Sequence, residues 1–285
     1  MEPSKQTLFS VDVEDWFHIL ALPTTPDVAE WDALPSRVAK GFHRLLDVFD
    51  ETNTKVTCFV LGWVAERYPA LIREAASRGH EIASHGYAHR LTYTLTPAAF
   101  REDVQRTREI LEQVVGKPVR GYRCPGFSVT EATPWFFETL VQAGYRYDSS
   151  VFPARRAHGG LTSTRLEPHW IQTPAGRLFE FPITVAHVLG QPMCFFGGGY
   201  LRLFPYAITR RMSDRVLRQG RPVVFYVHPR EVDPDHPRLP MSLARQFKSY
   251  VGLRTTEPKI RRILRDFRVG TFGEFMDGSS LGDAE

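Results

Sequence analysis

Four groups of residues in this 285-residue chain have the types and spacing that reactive chemistry needs. The first is Asp12-Val13-Glu14-Asp15, three carboxylates within four residues. Such crowding is repulsive unless a cation relieves it; an exposed acidic turn is the plain alternative. The second is His85-Gly86-Tyr87-Ala88-His89. In a helical turn this i, i+4 spacing sets both imidazoles on one side. Two imidazoles and a carboxylate make a common divalent-metal set, although two surface histidines would read the same way. The third is Arg123-Cys124-Pro125-Gly126-Phe127. Its proline and glycine make a sharp turn that can expose a backbone N–H, and its guanidinium can hold a carboxylate through paired hydrogen bonds. A simple turn beside a surface arginine is the bland reading. The fourth is Tyr226-Val227-His228-Pro229, which ends a very apolar run. A histidine there can act as acid or base, or merely cap a strand.

The elements that must position these groups follow from hydrophobic periodicity. Residues 7–13, 56–61, 80–84, 119–122, 145–148, 178–183 and 223–227 read as strands. Residues 36–51 carry Val38, Phe42, Leu45, Leu46 and Phe49 at helical spacing, and 64–78 read as a helix stopping at Gly79. Thr96 and Pro97 open a helix to about Val115, as N-cap and first helical residue. Helices over 131–143 and 206–219 complete a β-α alternation, which predicts a parallel sheet with outer helices. Each reactive group falls at a strand end, the rim that carries chemistry in α/β barrels. Residues 152–205, with Gly197-Gly198-Gly199, read as loops or short hairpins beside that rim.

Composition narrows the class. An apolar fraction of 42% and a charged fraction of 24% are those of an ordinary globular chain. A net charge of +4 does not call for a nucleic-acid partner. The densest basic run, Lys259, Arg261, Arg262, Arg265 and Arg268, reads as a solvated helix face over about 256–268, with an anionic lipid or glycan contact as the alternative. Three cysteines without a CxxC argue against a disulfide scaffold or a thiolate zinc site. No stretch has the length and apolarity of a membrane span, and the N-terminal residues lack a signal-peptide apolar core. A cytoplasmic location is the expectation. Neither GxxxxGK[ST] nor GxGxxG occurs, so a nucleotide enzyme ranks last.

Over roughly residues 7–230 the chain resembles the polysaccharide deacetylase family, also called NodB-homology or carbohydrate esterase 4. Ser10-Val11-Asp12 with Glu14 and Asp15 resembles its acidic first motif, and Ser84-His85 through His89 its histidine motif. Arg123-Cys124-Pro125 is similar to the arginine-proline motif, Tyr147-Asp148 with Phe152 to the aspartate-aromatic motif, and Val227-His228 to the final histidine motif. VDVEDWF, HPREVDPDHPRLP and RRILRDFRVGTF resemble the exosortase-associated exopolysaccharide branch with its C-terminal extension. The chain departs from the common pattern at Asp-Val-Glu-Asp, at Gly126 and at Tyr226.

The resemblance implies a distorted (β/α) barrel of about seven parallel strands over 1–230, with 231–285 packed on it as an extension. It implies a metal-dependent hydrolase removing N-acetyl groups from an N-acetylated glycan or lipid-linked sugar, in exopolysaccharide biosynthesis. The metal, zinc by preference with cobalt or nickel as substitutes, would be held by His85, His89 and either Glu14 or Asp15. Asp12 would be the base, Arg123 would keep it ionised, and His228 would protonate the leaving amine. Asp148 would orient Arg123 or His228, and the Gly126 N–H would face the oxyanion. Phe127, with Trp16, Phe152 and Tyr200, would line the sugar groove. The competing readings are a deformylase or cyclic-ureide hydrolase on the same fold, which need not hold a metal, and a non-catalytic glycan-binding module.

Overall fold

The computed structural model describes residues 6–20, 22–155, 159–162 and 164–279. Seven parallel strands form its centre. They are β1 (Gln6–Val13), β2 (Thr57–Val60), β3 (Glu81–Ser84), β4 (Gly121–Tyr122), β5 (Tyr147–Asp148), β7 (Gly176–Glu180) and β10 (Val223–Val227), in the spatial order β10-β1-β2-β3-β4-β5-β7. β6 (His169–Thr173) pairs antiparallel with β7 at the edge, and β8 (Ala186–Val188) and β9 (Gln191–Met193) form a separate hairpin. Strand pairing does not join β7 to β10. Instead Thr184 Oγ1 accepts the Val224 N–H at 2.8 Å, and the Tyr226 N–H donates to the Phe196 carbonyl at 3.2 Å. The result is the open, distorted form of the expected barrel.

Alternation along β1 explains both layers. Phe9, Val11 and Val13 face the outer helices and share a core with Phe42, Leu45 and Phe49 of α1 (Val38–Glu51). Leu8 faces inward with Phe59, Tyr147, Phe181 and Val224. The period of two places Ser10 and Asp12 on Leu8's side, further toward the rim.

The expected helix over 64–78 is two, α2 (Gly62–Arg67) and α3 (Pro69–Ser77). Tyr68 lies outside helical space at φ −127°, ψ 52°, because the proline after it disfavours the α conformation. α4 (Pro97–Val115) starts at Thr96, whose side chain accepts the Ala99 N–H. The helix expected over 131–143 is confined to α5 (Phe136–Gln142). Strands β4 and β5 have two residues each where four were expected. The irregular stretch supplies β6, the β8–β9 hairpin and α6 (Gly198–Leu203), before α7 (Tyr206–Leu217).

The segment after residue 230 holds α8 (Leu243–Tyr250), α9 (Leu253–Asp266), β11 (Arg268–Gly270) and α10 (Phe272–Gly278). It is woven into the barrel. β11 pairs in parallel with the start of β1, beside the part that β2 does not reach. Phe272 enters the interior 5.5 Å from the Phe59 ring and 4.9 Å from that of Phe181. Its N–H donates to Thr57 Oγ1, and the Gly273 N–H to Glu81 Oε2, both at 3.0 Å. α10 thus plugs the barrel at the N-terminal end of its strands. The basic run is not simply a solvated face. Lys259 is buried, and its ammonium donates to the carbonyls of Leu201, Arg202 and Phe204 at 2.7–3.0 Å. Those carbonyls end α6, where a cation satisfies groups the helix leaves unpaired. Arg261 pairs with Glu51 and Glu257. Among the described residues no helix is long and apolar enough to cross a membrane.

Candidate metal and acid–base site

The four sequence groups converge where the parallel strands end. Glu14, His85 and His89 each offer a ligand atom, and the three atoms lie within 4.8 Å of one another. The histidine pair is not helical. Gly86 and His89 have φ of +73° and +50°, so 85–89 is a tight loop, yet its imidazole centroids are 5.3 Å apart. The loop is held by its backbone: the N–H groups of Gly62 and Trp63 donate to the carbonyls of Gly86 and Tyr87, and the Tyr87 N–H donates to Asp103 Oδ1 at 3.0 Å. A non-glycine residue in left-handed space is a strain that the surroundings must enforce.

The donor chemistry fits a cation. His85 Nδ1 lies 2.8 Å from the Arg123 carbonyl. It donates there, which leaves Nε2 with a free lone pair, the arrangement of a metal-binding imidazole. His89 Nε2 and Glu14 Oε2 approach to 2.7 Å without the alignment of a hydrogen bond. Burial pushes Glu14 up, but His89, His228 and Arg230 outweigh it and hold the carboxyl well below the usual range. Burial, and then His89, lower His85 to about 3, so it is a neutral donor. Glu14, His85 and His89 would hold the ion.

Asp15 is not with them. One or both of its oxygens accept the N–H groups of Trp16, Arg37 and Val38 and the Ser36 hydroxyl, at 2.5–3.2 Å. It therefore ties the first turn after β1 to the start of α1, and its lone pairs are committed.

Asp12 and Arg123 form a fully buried pair, Nη1 to Oδ1 2.6 Å. Ser10 Oγ accepts from Arg123 Nη1 at 2.7 Å, the Ser149 carbonyl from Nε at 3.2 Å and Ser149 Oγ from Nη2 at 3.1 Å. The guanidinium also lies 4.0 Å over the Phe59 ring. Asp148 does not bond Arg123 or His228 directly. It accepts the Ser150 hydroxyl at 2.6 Å and the Ser150 N–H at 3.1 Å, and Ser150 Oγ accepts the Cys124 N–H at 2.7 Å. Its carboxyl partner is Glu180, which the sequence reading missed. Burial raises both, Asp148 to about 6 and Glu180 well above its usual range, where the neighbouring Asp148 carboxyl adds to the rise. Asp148 thus acts on Arg123 at one remove, through the turn at Cys124.

His228 Nε2 stands 3.6 Å from Glu14 Oε1 and 3.9 Å from Asp12 Oδ2. Burial lowers it to about 4 despite those two carboxylates. Gly126 and Phe127 line the cleft, with φ of +65° and +53°. Tyr200 also lines it, whereas Trp16 and Phe152 are buried away from it. Trp16 donates its indole N–H to the Pro35 carbonyl, and Phe152 packs behind Phe127 at 5.9 Å. His18 was missed. It is buried on the cleft wall, its Nδ1 accepts the Asp15 N–H at 2.9 Å, and so Nε2 carries the hydrogen.

The cleft is about 220 Å³. A cleft of about 280 Å³ opens at the other end of the barrel near α10, but there Glu81 is bonded to Thr57 and Gly273, and Arg120 to Asp277. That end is structural.

An α/β barrel thus brings a carboxylate–imidazole triangle and a buried Asp–Arg pair together at one rim. Residues 29–147 match the polysaccharide deacetylase family, and 149–277 match a domain of unknown function, DUF3473. Over residues 29–147 the chain is thus similar to the polysaccharide deacetylase family. It is 27% identical over 111 residues to a peptidoglycan deacetylase of Helicobacter pylori, covering 39% of this chain and 37% of that one. The chain thus spans little more than a third of the length of that curated relative. A putative polysaccharide deacetylase from Mycobacterium smegmatis superposes with a TM-score of 0.66 at 24% identity, covering 95% of this chain and 88% of the other. The allantoinase Puue superposes at 0.62 with 16% identity, covering 98% and 87%. These two likenesses show the fold.

Proposed function

We propose that this protein is a divalent-metal-dependent hydrolase that removes N-acetyl groups from an N-acetylhexosamine-containing glycan or glycan precursor, in exopolysaccharide biosynthesis. The observation that carries the reading is the Glu14–His85–His89 triangle facing the Asp12–Arg123 pair and His228 across one cleft. The names of relatives, deacetylases of peptidoglycan and chitooligosaccharides, support the bond and the sugar class.

When bound, the ion, zinc by preference, supplies electrophilic polarisation of the acyl carbonyl and a more acidic attacking water. The remaining work belongs to the chain. Asp12 Oδ1 is fixed by Arg123, which leaves Oδ2 facing the cleft to accept the proton of that water. His228 is neutral at rest, so as an acid it must first gain a proton; Asp12 Oδ2, 3.9 Å away, is the source. It then delivers the proton to the departing amine. The Gly126 turn faces the acyl oxygen, and Phe127 and Tyr200 bracket the sugar.

The test is acetate release from N-acetylglucosamine oligomers and lipid-linked N-acetylhexosamines by chelated protein, before and after zinc, cobalt or nickel is added, with His85→Ala alongside. Release restored by metal and absent in the variant is the expected result. Tight metal binding without acetate release from any acetylated sugar would redirect the reading to another amide.

A further inference from the structure

The cleft holds more positive charge than the proposed reaction uses. Of its acids, Asp12 is matched by Arg123, and Glu14 faces His89. Of its cations, Arg202 is matched by Glu231 and donates to the carbonyls of Lys248, Ser249 and Val251 at 2.9–3.0 Å. Arg230, Arg245 and Lys248 are left over on the wall. Arg230 Nε and Nη1 are buried without a hydrogen-bond partner, and its nearest acid is Glu14 Oε1, 4.0 Å from Nε. Arg245 donates from Nη2 to the Leu20 carbonyl at 2.8 Å, but its buried Nε has no partner. A buried guanidinium with unfilled N–H groups is costly, and two close together also repel. Their fork of donors matches the oxygens of a carboxylate or phosphate.

We infer that Arg230, Arg245 and Lys248 form an anion subsite, and that the sugar deacetylated here carries a phosphate or carboxylate on the same ring as the acetamido group. The inference rests on the proposed function for the acetamido half alone. Proximity sets the "same ring" condition: Arg230 lies two residues past His228 and 4.0 Å from a proposed metal ligand, too close for an anion one sugar away. The subsite comes from the loop after β10 and from α8, in the half of the chain matched by DUF3473. The unknown half of the molecule thereby gains a role in substrate choice.

Two measurements decide it. Calorimetry on chelated protein compares glucosamine 1-phosphate and glucuronic acid with glucosamine, for the wild type, Arg245→Gln and the exposed-site variant Lys248→Gln. Acetate release on zinc-loaded protein compares N-acetylglucosamine 1-phosphate and N-acetylglucosaminuronic acid with methyl N-acetylglucosaminide. The expected result is that one anionic class binds and turns over best, and that Arg245→Gln removes about tenfold or more of that preference, with Lys248→Gln removing less. Which anion is preferred separates phosphate from carboxylate. Equal binding of all three sugars, or equal losses for neutral and anionic sugars in the variants, would overturn the inference while leaving deacetylation intact. Arginine-dependent anion binding with no acetate from any sugar would instead sink the proposed function and leave the subsite standing.

Discussion

At the residue scale, neighbouring acids have separate tasks that only coordinates reveal. The cluster at 12–15 fitted either a cation site or an exposed acidic turn, and it left Glu14 and Asp15 as alternative ligands. It could not show that Asp15 spends its oxygens on the start of α1. Glu14→Gln is expected to abolish stoichiometric zinc binding, measured by metal analysis after dialysis. Asp15→Ala should keep the metal but lose about 2 kcal/mol of stability in urea, since its donors are left unpaired. Equal metal loss in both would refute that division. Asp12→Asn should lower kcat by about a hundredfold or more with the fold retained. Arg123→Met should cost about 3 kcal/mol, because it strands a buried carboxylate; circular dichroism under denaturant measures it. Glu180 and His18 were not legible, because a lone acid or histidine in an apolar context carries no spacing signal.

At the element scale, strands and their rim positions were readable because apolar runs and breaks are local. The loop at 85–89 was not, because its two left-handed residues are imposed by α2 and by Asp103 on α4. A Cβ added at Gly86 would sit 3.0 Å from Asp103 Oδ1, in a conformation L side chains avoid. Gly86→Ala should therefore weaken metal affinity at least as clearly as it lowers stability, by about 1–2 kcal/mol; zinc titration and urea melts on one preparation read both. At the start of β3, His80 accepts the Val56 N–H at 3.3 Å, and burial lowers it to about 4 from 6.5. The unfolded chain then binds this proton more readily than the native one. The stability involved is present above pH 6.5 and is lost as pH falls toward 4. Wild type should lose more stability than His80→Gln between pH 7.5 and 5, and parallel pH slopes would remove His80 as the cause.

At the scale of the whole molecule, the parallel barrel was legible from β-α alternation, but the role of residues 231–279 was not. Short segments such as β11 and the plug Phe272 have no periodicity to betray them, since their partners lie roughly 90 to 260 residues away along the chain. Phe272→Ala should destabilise the protein by about 3–5 kcal/mol, read from denaturant midpoints, through the hole it leaves among Phe59, Tyr147 and Phe181.

The pairing of β11 and β10 with β1 also sets an order of events during synthesis. Gln6–Val13 leaves the ribosome long before the strands that flank its first residues, which emerge only with 223–227 and 268–270. Until then that strand edge is exposed, and such unpaired edges invite association with other chains. Asp12 and Glu14, on that strand and just past it, meet His228 only after β10 has been made. The nascent chain is therefore expected to need protection of this edge by a chaperone until residues 223–227 and 268–270 have emerged.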